Sequence, residues 1–305
     1  MEIIKSDTHF NFVSLMKPAI FVSVAFILIG IASIVWHSGL NYGIDFAGGT
    51  LVQIKFHKET PTNRIRDALK MINLGSSIIQ PFGLNEVIVR IAQSSTNDQD
   101  PSVRIKDALG AALGQGSFEI RRVEVVGPKV SKDLTRKAIL AVIFSWIGIL
   151  VYVGIRFEFR YALGGVMALL HDVLVTVSAM ALLNKEFDLN IVAALLTIIG
   201  YSINDTIVIF DRIRENSRKN MKMALSDVVN LSVNQTLSRT LLTSLTVFMV
   251  LLILFFFGGA VIHDFTFAML VGTVAGVYST VFIASPLILA FERIKPSKIR
   301  LKRGK

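Results

Sequence analysis

Six stretches of the chain are predominantly apolar for long enough to cross about 30 Å of hydrocarbon: residues 18–36, 138–155, 161–183, 189–210, 241–257 and 265–291. Each predicts a transmembrane helix. Between the first two the pattern changes character. Gly49 to Phe56 (GTLVQIKF) alternates as a half-buried strand does. Ile65, Leu69 and Ile72 share one face of a helix over 62–72, with Pro61 suited to its start. Residues 77–82 and 86–92 read as strands joined by a turn containing Gly83 and Asn85. After a polar loop, 93–100, a second helix over 101–113 opens on Asp100 as cap and Pro101 at its first position. Residues 118–126 alternate again and end at Gly127-Pro128. The order strand, helix, strand, strand, helix, strand predicts a split β-α-β, ferredoxin-like domain.

The expected fold is therefore a polytopic α-helical membrane protein with six transmembrane helices and one external α+β domain. Residues 1–36 form the N-terminus and first span, 37–137 the external domain, 138–291 spans two to six, and 292–305 a basic tail. Composition agrees, with 52% hydrophobic and 18% charged residues and a mean hydropathy of +0.60. No small-residue cleavage site of the A-x-A type follows the first span, so it reads as a retained helix and not a secretory signal.

Six spans put both termini on one side, and Lys and Arg decide which. Arg156 and Arg160 lie between spans two and three, and Arg212, Arg214, Arg218, Lys219 and Lys222 follow span four. The tail from Arg293 to Lys305 is basic, whereas the links 184–188 and 258–264 hold only Lys185. Cytoplasmic termini and an external loop domain follow. The net charge of +10 is the expected result of such a topology beside anionic lipid, and a nucleic-acid partner is not invoked. The absence of cysteine excludes disulfides and thiol chemistry. With no HExxH or paired ligand spacing among the histidines, a metal site is not expected.

Asp205 lies inside span four, where an ionisable group costs at least about 2–3 kcal/mol and so points to function. Burial and a nearby cation act on such a carboxyl in opposite senses, and an Asp held between them is poised to exchange protons. Arg239, just before the apolar run of span five, is the candidate cation, with snorkelling to the headgroups as the rival reading. Tyr201, Ser202, Asn204 and Thr206 are available to hydrogen-bond Asp205, which makes a purely packing role the plain alternative. His171 and Asp172 fall near the middle of span three, where they either relay protons with Asp205 or bond a neighbouring helix. Gly43, Asp45, Gly48 and Gly49, within Gly43 to Thr50 (GIDFAGGT), and Gly127 with Pro128 mark hinges or tight junctions between the first two spans and the external domain. The glycine run lacks the Gly-Lys-Ser/Thr ending of a phosphate loop. Gly272 and Gly276 form a G-x-x-x-G face in span six for close helix packing, and Pro286 is expected to kink that span. The charged stretch from Asp211 to Lys222 reads as a solvated loop.

GIDFAGGT after span one, VGPKV before span two, HD in span three, GYSINDTIVIFDRIREN across the end of span four, NQTLSRT before span five and GTVAGVYSTVFIASP in span six occur in that order. Together they resemble the SecF members of the SecD/SecF family of bacterial protein-export membrane proteins. The resemblance implies one six-span half of a transporter similar to the resistance-nodulation-division (RND) superfamily, in the inner membrane with its loop domain periplasmic. A SecD-like subunit would supply the other half. It further implies association with the SecYEG channel, cooperation with SecA, unfolded exported polypeptides as substrates, and protons as the coupling ion with no other cofactor and no enzymatic activity. By motif, Asp205 matches the family's protonatable carboxylate and Arg239 its basic partner. Three competing readings remain: a small-molecule efflux pump of the same superfamily, an intramembrane aspartyl protease using Asp172 and Asp205, and a structural assembly subunit.

Overall fold

The computed structural model describes residues 9–83, 85–92 and 101–294. The expected Asp100 cap, the loop 93–100 and the tail beyond 294 lie outside the described residues. Helix α1 (Phe12–Trp36) is followed by a single turn, α2 (Ile44–Ala47), and then by the external domain. Its elements are β1 (Gly49–Phe56), α3 (Thr62–Lys70), β2 (Ile78–Pro81), β3 (Glu86–Ile91), α4 (Pro101–Leu113) and β4 (Phe118–Val126). The four strands form one antiparallel sheet in the order β2-β3-β1-β4, the arrangement a split β-α-β unit produces. One sheet face carries Val52, Ile54, Phe56, Val87, Val89 and Ile91, which pack on Ile65 and Leu69 of α3 and Ile105 and Leu109 of α4.

The alternation in β1 predicts one wet face, and here the structure differs. Seven of its eight residues are buried, because the second sheet face lies on the outer ends of the membrane helices, where Leu51, Ile88 and Ile44 form a separate small core.

The membrane half consists of α5 (Pro128–Arg156), α6 (Phe159–Leu182), α7 (Leu189–Lys219), α8 (Leu225–Phe257), α9 (Ala260–Ser279) and α10 (Ser285–Ile294), the last two joined by a π-helical turn, Thr280–Ala284. With α1 these supply six helices long and apolar enough to span a membrane. Within their most apolar windows, α6 and α7 are 61% and 56% buried against 11% for α1 and α5; α6 and α7 are the centre and the others surround them. Glycines allow the close approach. A Cβ on Gly272 would lie 2.2 Å from Ile198 Cδ1, and one on Gly276 3.1 Å from the Ser202 side chain, so this face of α9 lies directly on α7.

Three boundaries differ from the sequence expectation. First, α5 begins at Pro128, ten residues before its apolar run, so position 137 falls within a helix. Second, the charged stretch after Asp211 is not a loop: α7 continues to Lys219 and α8 starts at Leu225. No Pro or Gly interrupts 201–219 or 225–257, and a buried seam of Ile213, Val228 and Val229 holds the two extensions together. Asn216 Nδ2 donates to Ser232 Oγ (2.9 Å) and Gln235 Oε1 (2.8 Å) across it. Third, span six shows a π turn just before Pro286. Proline has no N–H and its ring crowds the carbonyl four residues back; widening the helix there removes the conflict, and Ser285 Oγ donates to the Thr280 carbonyl (3.0 Å).

Candidate functional site

Glycines and alanines on α6 draw its neighbours close enough for short polar side chains to meet. A Cβ on Gly164 would stand 3.3 Å from the Ala284 carbonyl, and one on Gly165 3.4 Å from Ile203. Next to this region on α6 are His171 and Asp172, and Asp172 is fully buried. Asp172 Oδ2 accepts from Ser202 Oγ of α7 (2.6 Å) and Ser279 Oγ of α9 (2.9 Å). Its Oδ1 lies 3.1 Å from His171 Nδ1, and His171 Nε2 lies 3.0 Å from Ser23 Oγ of α1. Tyr278 of α9 stacks on the imidazole, with ring centroids 5.8 Å apart. Four helices thus converge on the His171–Asp172 pair.

The directions of these bonds follow from one fixed point. The Ala19 carbonyl can only accept, so Tyr278 OH donates to it (2.6 Å) and must accept from Ser23 (3.2 Å). Having given its proton to Tyr278, Ser23 accepts from His171 Nε2–H. A histidine protonated on Nε2 then needs one proton between Nδ1 and Asp172 Oδ1. That proton resides either on the carboxyl, beside a neutral imidazole, or on the imidazole, beside a carboxylate. The pair is electrically neutral in both forms, which is how a carboxyl can be tolerated at membrane depth without a lysine or arginine.

Asp205 is also buried, but its setting is sparer. One carboxyl oxygen accepts from Ser244 Oγ of α8 (3.3 Å), and Tyr201 OH donates to the same serine (3.3 Å). The expected pair with Arg239 is not a contact ion pair: the guanidinium acts on the Asp205 carboxyl through space, and Ser244 is the group that hydrogen-bonds it. Arg239 is exposed and borders an open cleft of about 760 Å³ between α7 and α8, with Arg214 and Arg218. The reason is helical phase. Ser244 and Arg239 are five positions apart, roughly 140° around a helix of ~3.6 residues per turn, so the face that meets Asp205 is not the face that carries the cation. The other expected neighbours also disperse: Ser202 bonds Asp172, Thr206 meets Thr280 Oγ1 (3.0 Å), and Asn204 is exposed with Ala193, Thr197 and Gly200 in a small, polar stripe along α7. Asp172 and Asp205 share no hydrogen bond, so the dyad an aspartyl protease requires is not assembled. Ser23, Ser244 and Tyr278 carry no signal in the sequence, because hydroxyls inside apolar runs have no diagnostic spacing.

At the outer end, the glycine motif builds a seam between the external domain and the α6–α7 link. Gly48 (φ 71°) and Gly49 (φ 123°) adopt conformations that disfavour a side chain, and a Cβ on Gly49 would lie 2.3 Å from the Ile91 carbonyl oxygen. Gly43 is extended and tightly approached, since its Cβ would stand 2.7 Å from Glu186 Oε1. Asp45 Oδ2 accepts from the free Leu189 N–H at the start of α7 (3.0 Å). Gly127 has an ordinary extended backbone with open space around it, and Pro128 occupies the first turn of α5. Arg90 of β3, 5% exposed, pairs with Glu186 at 3.1 Å. Burial raises the Glu186 carboxyl above its ordinary value, and the Arg90 guanidinium opposes that shift. Among the described residues, no three His, Asp or Glu side chains converge as metal ligands.

Residues 105–294 match the family described as protein export membrane protein SecD/SecF, C-terminal, and residues 34–60 match the SecD/SecF GG motif. The chain is 45% identical over 296 residues to the protein translocase subunit SecF of Magnetococcus marinus, covering 96% of this chain and 95% of that one. It is 44% identical over 292 residues to the SecF of Vibrio alginolyticus, covering 94% and 91%. Among solved structures, the crystal structure of SecDF, a translocon-associated membrane protein from Thermus thermophilus, superposes with a TM-score of 0.82 at 34% identity. That match covers 95% of this chain and 40% of the SecDF chain, so the present chain spans about two fifths of that protein's length.

Proposed function

The chain belongs to the SecD/SecF family of protein-export membrane proteins, and we propose that it assists Sec-dependent export across the bacterial inner membrane by coupling proton movement to motion of its periplasmic domain. It is a multi-pass membrane protein and a transport component, with the RND-like architecture of SecDF. In this reading both termini are cytoplasmic and protons are the coupling ion. A SecD-like subunit provides the second six-span half, SecYEG and SecA are the functional partners, and unfolded polypeptides are the substrate. The exposed polar stripe of Ala193, Thr197, Gly200 and Asn204 supports a partner half, because Asn and Thr side chains facing lipid across a span are unfavourable. Exposed Arg239 lies on the neighbouring helix and is available to a carboxylate across that interface.

The observation that carries the proton reading is the buried Asp172–His171 pair, neutral with one proton and bonded to α1, α7 and α9 at once. Gain or loss of a proton there changes which hydroxyls it can hold, and so biases α7 and α9 relative to α6. Asp205, about one turn beyond Ser202 on α7, ties the same helix to α8 and is the second protonatable group. The driving force is of a suitable size, since one charge moved through 100 mV is worth about 2.3 kcal/mol. The test is export into membrane vesicles with and without an imposed proton gradient. Asp172→Asn and Asp205→Asn should each abolish the gradient-dependent part while leaving ATP-driven export in place. Full gradient stimulation in both variants would refute the proton role.

A further inference from the structure

The seam under the external domain is more than a pair of flexible junctions. Arg90 reaches out of β3 on the sheet face turned toward the membrane half. Besides Glu186 of the α6–α7 link, its guanidinium donates to Gln80 Oε1 of β2 (2.7 Å) and Asn41 Oδ1 of the turn after α1 (3.5 Å). Asn41 Nδ2 in turn donates to the Asn184 carbonyl (3.0 Å), and its own carbonyl accepts from Phe187 N (2.8 Å). Gly43 N donates to the Phe187 carbonyl (3.0 Å), which continues a short parallel bridge between Tyr42 and Phe187. The rings of Tyr42, Phe46 and Phe187 pack together beside it, with centroids 6.1 to 6.3 Å apart.

Parting Arg90 from Glu186 would leave the guanidinium, 5% exposed, without its carboxylate, which is costly for a group so far removed from water. At Gly49 the chain is wedged against the β3 backbone at Ile91, which leaves little room for bending there. We propose that Arg90 is the positioning residue that clamps the external domain to the α6–α7 link, so that the domain moves as a rigid extension of α6 and α7. This inference rests on the reading that the membrane half drives the external domain. It replaces bending at Gly43 to Thr50 with tilting of the whole domain.

The chain has no cysteine, which permits site-specific labels in the full chain, assembled with its partner subunit in vesicles. Spin labels at Lys58→Cys and Leu183→Cys report the distance between domain and link without any gradient. That distribution should be narrow, and Arg90→Gln should broaden it and lower gradient-stimulated export roughly tenfold, the size expected of a broken coupling contact. The swap Arg90→Glu with Glu186→Arg should restore both readouts. A bis-maleimide joining Ile78→Cys of β2 to Leu183→Cys of the link, both exposed and outside the hydrogen-bonded seam, should restore Arg90→Gln and leave export intact when Arg90 is present. The clamp is overturned if that cross-link blocks export in the chain carrying Arg90, if it fails to rescue Arg90→Gln, or if Arg90→Gln keeps a narrow distribution. Failure of the proton reading looks different, with Asp172→Asn exporting normally and the distance distribution unchanged.

Discussion

Asp172 in the membrane core and Glu186 at the outer seam are both carboxyls with little access to solvent, yet their surroundings are opposite in kind. Asp172 has two serine hydroxyls and an imidazole; Glu186 has a guanidinium. Arginine does not release its proton in proteins, so the seam keeps a permanent cation that opposes the effect of burial on Glu186. Hydroxyls and histidine carry no permanent charge, so the core carboxyl has no fixed cation beside it. The seam carboxyl is held by a permanent cation, and the core carboxyl is held without one, the setting that the proposed proton role requires.

The comparison breaks first at Arg90. Arg90→Ala should destabilise the docked external domain by about 3 kcal/mol, since Glu186, Gln80 and Asn41 all lose the guanidinium they share. Hydrogen exchange in β1 and β3 would read this. The double variant with Glu186→Ala should lose much less; an equal loss would mean the pair is not what holds the seam. Next, Asp172→Leu leaves the hydroxyls of Ser202 and Ser279 without their acceptor, and thermal unfolding in detergent should register a loss of about 3 kcal/mol. Asp172→Asn, which still offers an oxygen, should stay within about 1 kcal/mol of the parent. A large loss for Asn would show that the core, like the seam, depends on fixed charge. Gly272→Ala places a methyl on Ile198 and should destabilise the α7–α9 contact by about 1–3 kcal/mol, with Gly276→Ala milder because its nearest neighbour is farther away. The smallest expected effect is at Ser244→Ala. It removes the hydrogen bond between Asp205 and α8 and should cost about 1 kcal/mol, a value that would confirm how sparsely Asp205 is held beside Asp172.

Much of this architecture was legible before the coordinates. The six spans and all four strands lie where hydrophobic length and alternation place them, and His171, Asp172 and Asp205 stand out because ionisable groups are rare inside apolar runs. The errors share one cause. Strand β1 reads as half-buried because nothing local announces that a second surface will cover it. The stretch after Asp211 reads as a loop because its charges mask a helix whose packed face is formed by the opposing arm of α8. For Asp205 and Arg239 depth alone predicts a direct contact, but depth does not set the angle around a helix, and the cation acts through space instead. Arg90 passed unremarked altogether, as one arginine in a strand of a domain with many charges.

The sequence by itself determined which segments enter the membrane, the order and type of the elements in the external domain, and the presence of costly carboxyls at membrane depth. These follow from local periodicity and from the free energy of placing a residue in hydrocarbon, which depends little on what lies far along the chain. Only the tertiary structure decided that Ser23, Ser202, Tyr278 and Ser279 build the network around His171 and Asp172, that Asp205 meets Ser244 and not Arg239, and that Arg90 closes on Glu186. Each of those contacts joins side chains from separate elements, and it depends on the rotation of one helix or strand against another, a quantity set by packing across the whole molecule.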